Sequence, residues 1–380
     1  MKKFLLLNMA VATAVLPFWA CSSDAGNPSN ISNASSDNDT AVVSETASTD
    51  TTAAVDEGNG YRHHFSSRNP WVHDPVVAQE GDTLYLFCTG RGITQMHTTN
   101  MVDWQLDGPC LDTLPHWVYD RLPEATMHVW APDIIRVGNL WHLFYCCSAF
   151  GKNTSVIGHL TSRSLNRNSP LYGWKDAGLM LQSIPHRDNW NAIDPNVVVC
   201  SDGSSWMSFG SFWGGLKMVR LSDDLSSVAE PQQWYTIASR QRTDMEPDDH
   251  AGNAAIEAPF VFQHEGWFYL FASHDYCCRG AESTYHVVVG RSRSVSGPYV
   301  DASGQRMDFG GGTTLPLPPA DAQRYVAAGH CAVANLSGRD YIIMHAYTHE
   351  DGHPELLVRR LQWNADGFCS ILPATSTSEE

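Results

Sequence analysis

Acidic residues beside a proline recur along the chain, each at the head of a similar segment. Asp74 and Asp194 each stand directly before a proline, and Glu257 stands before an Ala-Pro pair. The second segment carries Asp133 in a related phrase, and the fifth has His330 where the others carry an acid. A single acid before proline most often caps a turn. Three at equivalent positions of a repeat indicate one shared site, because burying several carboxylates is costly without a use.

Carboxylates that meet in one cavity suit the hydrolysis of a glycosidic bond. When the bond is cleaved with inversion, one carboxylate takes a proton from water while an acid opposite protonates the leaving oxygen, and the two stand roughly 6.5–9.5 Å apart. A third carboxylate near the acid raises its pKa by like-charge repulsion. Asp74, Asp194 and Glu257 are therefore the candidate catalytic residues.

The elements that would carry these residues are short strands. Each acidic phrase is followed by an apolar strand, a polar turn and a second strand rich in aromatic residues, as in the turn at 79–82 before the strand at 83–87. A repeat of roughly 60 residues with several strands is typical of a propeller blade, and equivalent positions on the innermost strands converge on one axial pocket. We predict an all-β fold, a five-bladed β-propeller. The predicted blades span about 70–125, 127–182, 190–240, 254–312 and 326–372.

Composition limits the partners of the chain. Its 380 residues carry a net charge of −17, which argues against nucleic acid or an anionic membrane surface. The ten cysteines show no zinc-type Cys-x-x-Cys spacing. His345, His349 and His353 stand four residues apart, but without a helix beneath them they are interpreted as loop and strand histidines.

The N-terminal region predicts export. Residues 1–20 have the form of a signal peptide of the lipoprotein type, and Cys21 follows a small residue. The alternative is an ordinary cleaved signal peptide with an incidental cysteine. Residues 21–60 are polar enough to predict a disordered tether, 61–372 the propeller, and 373–380 a loose tail. The prediction is a monomer anchored to the bacterial outer membrane by a lipid on Cys21 alone.

The remaining nine cysteines are an odd number, so at least one thiol stays free even where export permits disulfides. Adjacent cysteines such as Cys146 and Cys147 alternate across a strand, and such a pair rarely bonds to itself. Most of the nine are predicted to be small buried hydrophobic residues.

Short motifs over about 71–363 make the sequence similar to the family 43 glycoside hydrolases, and within them to endo-acting α-1,5-L-arabinanases. The motifs lie at 72–75 (VHDP), 129–133 (VWAPD), 148–155 (SAFGKNTS), 191–196 (NAIDPN), 210–215 (GSFWGG), 256–260 (IEAPF), 277–280 (CCRG), 283–285 (STY) and 329–330 (GH). The resemblance implies that Asp74 is the general base, Glu257 the general acid and Asp194 the residue that modulates the pKa of the acid. It implies no proton-transfer role for Asp133, which is interpreted as a turn or strand-start acid.

The resemblance also implies substrate contacts and a metal. The predicted substrate-binding residues are His73, Trp130, Gly151, Asn191, Ala192, Ile193, Ser211, Phe212 and Trp213. His73 either orients the base or only packs, and Phe212 on its own is more typical of a core residue. His330 would lie beside a calcium ion held largely through water. Two features depart from the family: Cys331 follows this histidine where asparagine is usual, and the segment 241–253 is long.

Three functions remain open at this point. The leading prediction is an inverting endo-arabinanase that cleaves internal α-1,5 linkages of arabinan. An exo-acting α-L-arabinofuranosidase or β-xylosidase on the same fold differs from it only in whether a loop closes one end of the cleft. A non-catalytic glycan-binding lipoprotein is the third, and the complete set of Asp74, Asp194 and Glu257 argues against it.

Overall fold

The structure is a computed structural model that describes residues 53–56, 62–243 and 250–374. Within them, five antiparallel sheets form the five blades of a β-propeller, which confirms the predicted fold. A two-stranded hairpin precedes the blades, formed by β1 (Ala53–Asp56) and β2 (Arg62–Phe65).

The blades follow one another along the chain, near the predicted boundaries. Blade one contains β3 (Val76–Glu80), β4 (Thr83–Cys88), β6 (Thr94–Thr98) and β7 (Gln105–Pro109). Blade two contains β8 (His128–Val137), β9 (Leu140–Cys147), β10 (Ser155–Ser162) and β11 (Lys175–Ser183), with the short β5 (Gly90–Arg91) paired to β8. Blade three contains β12 (Asn196–Val199), β13 (Ser205–Phe209), β14 (Leu216–Leu221) and β15 (Trp234–Ala238). Blade four contains β16 (Ile256–His264), β17 (Trp267–His274), β18 (His286–Ser292) and β19 (Thr313–Thr314). Blade five contains β20 (Tyr325–Leu336), β21 (Arg339–Thr348), β22 (Pro354–Trp363) and β23 (Cys369–Ile371).

Helical structure is slight in the described residues. It comprises α1 (His116–Arg121), α2 (Pro319–Arg324) and two 3₁₀ turns at Gly280–Glu282 and Met307–Phe309. Among these residues no helix has the length and apolar character needed to cross a membrane.

The middle strands are apolar on both faces because each blade packs between two neighbours. Successive side chains of a strand point to opposite faces of the sheet. In β9, Leu143 and Tyr145 therefore enter the core shared with blade one, while Phe144 and Cys146 enter the core shared with blade three. This explains why the strands read as continuous apolar runs with aromatic residues.

The innermost strands β3, β8, β12, β16 and β20 surround an axial channel. A cavity of about 290 Å³ in it is lined by every one of these strands, including Asp133 from β8 and Asn196 from β12. The Asp133 carboxylate accepts the backbone N–H of Val197 at 2.7 Å, and the Asn196 side-chain oxygen accepts that of Val261 at 2.8 Å. Asp133 thus links adjacent innermost strands rather than only starting one.

The ring closes between blade five and the segment that leads into blade one. Val72 donates its N–H to the Pro354 carbonyl at 3.3 Å, and Leu356 donates to the Pro70 carbonyl at 3.0 Å. These backbone bonds hold the approach to β3 against the start of β22. They fix the position of the next residues in the chain, His73 and Asp74.

Most residues of the predicted signal peptide and tether, and the tail 375–380, lie outside the described residues. The strand β1 falls within the segment 21–60, so regular structure begins before the predicted start of the propeller at residue 61.

Candidate active site

A left-handed backbone bend precedes or interrupts each innermost strand at the same end of the channel. Such a conformation is uncommon outside glycine and gathers at functional sites. The bend residues, with their φ angles, are Asp74 (55°), Ala131 (24°), Asp194 (55°), Ala258 (55°) and His330 (46°). The expectation that all three acids share one repeat position needs correction, since Glu257 lies one residue before the bend of its own blade.

Asp74 is held by donors on both carboxylate oxygens. Thr89 donates its hydroxyl to Oδ2 at 2.5 Å, and Nδ1 of His330 lies 2.9 Å from Oδ1. The Asp74 backbone N–H donates to Nδ1 of His345 at 3.1 Å. Burial would raise the pKa of this carboxyl, but the charge and hydrogen bond of His330, with a smaller contribution from His73, outweigh burial and hold it well below its usual range. Asp74 is therefore a carboxylate at neutral pH.

Glu257 has neutral neighbours instead. The Tyr285 hydroxyl donates to Oε1 at 2.8 Å, and the Cys277 side chain also hydrogen-bonds to the carboxyl group. Burial is the largest influence, and with the charge of Asp74 it raises the pKa of Glu257 despite these donors and despite His330. Glu257 thus favours the protonated form more than an exposed glutamate does.

Asp194 interacts electrostatically with both Asp74 and Glu257. Its side chain is buried, and Oδ2 accepts the Ala258 backbone N–H at 3.1 Å. Burial, reinforced by the charges of Glu257 and Asp74, raises the pKa of Asp194 to about 8 even though His330 opposes it. The pKa values of Asp194 and Glu257 are thus both raised, and a charge on Glu257 disfavours a charge on Asp194.

His330 supplies the positive charge of the site. Its backbone N–H donates to the Ser273 hydroxyl at 2.8 Å. Burial disfavours the imidazolium, but Asp74, Asp194 and Glu257 outweigh burial and raise the pKa of His330 to about 9. The histidine is accordingly protonated at neutral pH and pairs with Asp74.

These residues do not form a calcium cage. Calcium takes six to eight oxygen ligands, whereas the one group of potential ligands that converges in the described residues is His73, Asp74 and His345, which offers two nitrogens and one carboxylate. That carboxylate already receives Thr89 and His330, and a metal at His330 would have to displace its proton.

Residues that the sequence did not single out position the catalytic groups. His345 lies in the strand β21, as predicted, and is 1% exposed; it accepts the Asp74 backbone N–H, and its ring lies 4.7 Å from that of His73. Tyr285 packs against Gly329 so closely that a Cβ there would stand 2.2 Å from the tyrosine ring. The sequence could have indicated such residues only as polar side chains within apolar strands, as with Ser273 and His345. Nothing local revealed which partner each would meet.

His73 contacts two rings of this group. Its ring lies 5.7 Å from that of Tyr347 in addition to His345, and its charge contributes to the lowered pKa of Asp74. His73 therefore packs against these rings and also favours the ionised form of Asp74, and its role in orienting the base stays a prediction.

Asn191 lies in a dense hydrogen-bond network at the edge of the pocket. Its Oδ1 accepts the Ser155 hydroxyl at 2.5 Å, and its amide nitrogen donates to the Ser211 hydroxyl and the Lys152 carbonyl. Ser211 also bridges to Glu257 through the backbone. Asn191 and Ser211 are thus brought beside the acid.

The other predicted substrate residues differ in what they expose. Ala192 and Ile193 are buried in the core between blades two and three, and the Ala192 N–H and the Ile193 carbonyl are already hydrogen-bonded to Ser183 and Gly210. Trp213 is 7% exposed, which leaves little ring surface for a sugar, whereas Trp130 and Phe212 are partly exposed. Gly151 has a φ of 73° and open space around it, next to Phe150, which is 80% exposed.

The two departures from the family pattern lie near the site in different ways. Cys331 is buried in the core of blades four and five and replaces a polar residue with an apolar packing group. Part of the long segment 241–253 falls in the undescribed residues 244–249, and Thr243 and Asn253 on either side are joined by hydrogen bonds.

A five-bladed propeller whose channel gathers one carboxyl group with a lowered pKa and two with raised pKa values has the architecture of a glycoside hydrolase. The family model described as glycosyl hydrolases family 43 matches residues 68–369, and the chain belongs to this family.

Two curated relatives and one solved structure give the degree of similarity. An extracellular exo-α-(1→5)-L-arabinofuranosidase ArbA of Cellvibrio japonicus is 46% identical over 301 residues, 79% of this chain and 86% of that protein. An extracellular endo-α-(1→5)-L-arabinanase 1 of Bacillus subtilis is 34% identical over 306 residues, 79% of this chain and 88% of that protein. The structure of Cellvibrio cellulosa α-L-arabinanase complexed with arabinohexaose matches with a TM-score of 0.77 and 44% identity, covering 80% of this chain and 96% of that one.

Proposed function

We propose that this protein hydrolyses the α-1,5 linkages of arabinan with inversion, Asp74 acting as general base and Glu257 as general acid. Asp194 raises the proton affinity of the acid. The observation that carries the proposal is the opposite charge preference within one pocket: the pKa of Asp74 is lowered, while those of Glu257 and Asp194 are raised. Where the environments of two neighbouring carboxyl groups shift their pKa values in opposite directions, the group with the lower pKa suits a general base and the group with the higher pKa suits a general acid.

The contacts of Asp74 support its role. With Oδ2 fixed by Thr89 and Oδ1 beside His330, the carboxylate cannot rotate freely, so it is preorganised to accept a proton from water. As that proton arrives, the positive charge of His330 is left without its full counter-charge.

The contacts of Glu257 support the complementary role. Tyr285 fixes the orientation of the carboxyl group, and Gly329 leaves the space that Tyr285 needs. Proton transfer to the leaving oxygen then turns Glu257 into a carboxylate that the Tyr285 hydroxyl stabilises. Asp194 restores the preference for the acid form before the next cycle.

For the mode of attack we infer exo action, release of sugar from a chain end, because the 46% identical relative is named an exo-acting enzyme. Endo action is the second candidate, since the relative at 34% identity is named an endo-arabinanase. A time course on linear arabinan distinguishes them. Arabinose or one short oligosaccharide as the sole early product supports exo action, and a ladder of oligomers with a rapid fall in viscosity supports endo action.

Stereochemistry tests the catalytic assignment itself. Proton NMR of the first product, read before mutarotation, should give the β anomer, inverted from the α linkage. A first-formed α anomer would indicate a retaining double displacement, and the role assigned to Asp74 would be wrong.

Export, a lipid on Cys21 and a monomeric state complete the proposal. Both curated relatives above are named extracellular, which supports export. Calcium at His330 stays a prediction. Loss of activity on chelation, with recovery on adding calcium alone, would support it.

A further inference from the structure

The adjacent cysteines 277 and 278 differ from the other adjacent pair of the chain. Cys146 and Cys147 lie in the strand β9 and enter two different cores, as expected for neighbours on a strand. Cys277 and Cys278 follow the end of β17, in a turn where Cys278 has a φ of 61°. The turn brings their Sγ atoms to 2.8 Å, well inside ordinary van der Waals separation.

We propose that Cys277 and Cys278 form a reversible vicinal disulfide in the exported protein, at the acid side of the active site. The expectation that adjacent cysteines rarely bond to each other rests on strand geometry, and this pair is outside any strand. Adjacent Cα atoms are about 3.8 Å apart, which is shorter than the span of most disulfides and makes such a bond easier to reduce. The bond therefore opens and closes more readily than an ordinary structural disulfide.

The reaction is thiol–disulfide exchange with an external disulfide, either a small molecule such as oxidised glutathione or a protein disulfide. Cys278 is exposed, so its thiolate attacks the oxidant, breaks that S–S bond and releases one thiol. Cys277 then attacks the mixed disulfide, loses its proton and releases the second thiol. One S–S bond forms and one breaks, and two electrons pass to the oxidant.

The pair touches both sides of the site. The Cys277 side chain hydrogen-bonds to Glu257, and the Cys278 backbone N–H donates to the Tyr347 hydroxyl at 2.9 Å. Tyr347 in turn packs against His73 and His345 beside the base. Closing the disulfide removes the thiol hydrogen that Cys277 donates to Glu257, so the ionised form of the acid loses a stabilising contact. This consequence rests on the proposed role of Glu257, whereas the bond itself does not.

Peptide mass spectrometry tests the bond with an internal control. Trypsin releases residues 243–279 and 137–152 as separate peptides, and each contains one adjacent cysteine pair and no other cysteine. The full chain, purified without reductant, is denatured and alkylated with N-ethylmaleimide. Peptide 243–279 should carry no alkyl group and lack two hydrogens, while peptide 137–152 should carry two alkyl groups. Two alkyl groups on peptide 243–279, also after treatment with oxidised glutathione, would overturn the proposal.

Kinetics tests the link to the acid. Reducing the wild-type protein should lower kcat on arabinan roughly threefold, the effect of one weak hydrogen bond, and leave kcat on an aryl arabinoside with a good leaving group unchanged. Cys278→Ser should resemble the reduced protein and not respond to reductant. A confirmed disulfide whose reduction leaves both rates unchanged would refute the coupling to Glu257. Inactivity of the oxidised protein on both substrates would instead contradict the proposed function.

Discussion

The two sides of the active site are built on the same repeat but have opposite electrostatics. On the base side, Asp74 meets a protonated His330 and a threonine hydroxyl. On the acid side, Glu257 meets a tyrosine hydroxyl and a thiol, with no cation in direct contact among the described residues. Burial raises the pKa of both groups, yet only Asp74 ends below its ordinary value.

The partner of each carboxyl group, and not its burial, decides the direction in which its pKa is shifted. A cation within hydrogen-bond distance offsets the cost of burying a carboxylate, whereas neutral donors offset only part of it. The fifth blade supplies that cation because it carries histidine at the bend where blades one and three carry aspartate. The histidine at this position of blade five is therefore the reason that the pKa of Asp74 is lowered while that of Glu257 is raised.

Removing either carboxylate should have the largest effect. Asp74→Asn and Glu257→Gln should each lower kcat on arabinan by roughly 10²–10⁴-fold. On an aryl arabinoside with a good leaving group, Glu257→Gln should retain much of its activity, since little protonation is needed, and Asp74→Asn should not. Asp133→Asn is the matched control, because its amide oxygen still accepts the Val197 N–H. Equal activity of Glu257→Gln and wild type on polymer would remove the acid assignment.

Replacing the protonated His330 should raise the pKa of Asp74. In His330→Gln, burial of Asp74 is no longer offset, so the pKa of Asp74 rises. Activity requires ionised Asp74 and is lost as pH falls through that pKa, so the acidic limb of kcat/KM should move upward by roughly one pH unit or more. The exposed His116→Gln serves as control. An unchanged acidic limb would mean that His330 does not set the charge of Asp74.

Removing the tyrosine hydroxyl should affect the acid side alone. The Tyr285 hydrogen bond lowers the pKa of Glu257, so Tyr285→Phe raises it further. Glu257 then stays protonated to higher pH, and the alkaline limb of kcat/KM should move upward while the acidic limb stays in place. We expect kcat to fall about tenfold from poorer orientation, the loss of one hydrogen bond to a charged group. A shift of the acidic limb instead would contradict the separation of the two sides.

Filling the space at Gly329 tests the same contact through packing. The Cβ of Gly329→Ala would lie 2.2 Å from Cδ1 of Tyr285, so the ring must move. We expect the free energy of unfolding to fall by roughly 1–3 kcal/mol, measured by urea denaturation, with a loss of activity similar to that of Tyr285→Phe. In the Tyr285→Ala background, where the ring is absent, Gly329→Ala should cost much less stability than it does in the wild type, and an undiminished cost would show that another neighbour is responsible.

The smallest effect on catalysis should come from the anchor. Cys21→Ala should release the protein from the membrane fraction with kcat unchanged, since the residue precedes the propeller by a long polar segment. Sedimentation of this variant with membranes would remove the lipoprotein prediction.

The fold, and the convergence of the three acids proposed as catalytic, could be predicted from the sequence because a propeller repeats one local pattern. An apolar strand after each acidic phrase and an aromatic strand after each turn specify a blade, and closure of five blades brings Asp74, Asp194 and Glu257 together. The repeat did not reveal that Glu257 lies one residue before its bend. Only backbone dihedral angles distinguish the two positions, and the phrases Asp-Pro and Glu-Ala-Pro look equivalent without them.

The partners of these acids were decided by tertiary structure alone. Thr89, Tyr285 and His345 each reach a catalytic group from a different element, and no spacing in the chain relates them to it. The charge of a buried carboxyl group depends on which donors stand within about 3 Å of it, and that depends on how whole blades pack. The repeat in the sequence indicated that Asp74, Asp194 and Glu257 meet in one pocket, whereas the packing of the blades decided their partners and so the direction in which each pKa is shifted.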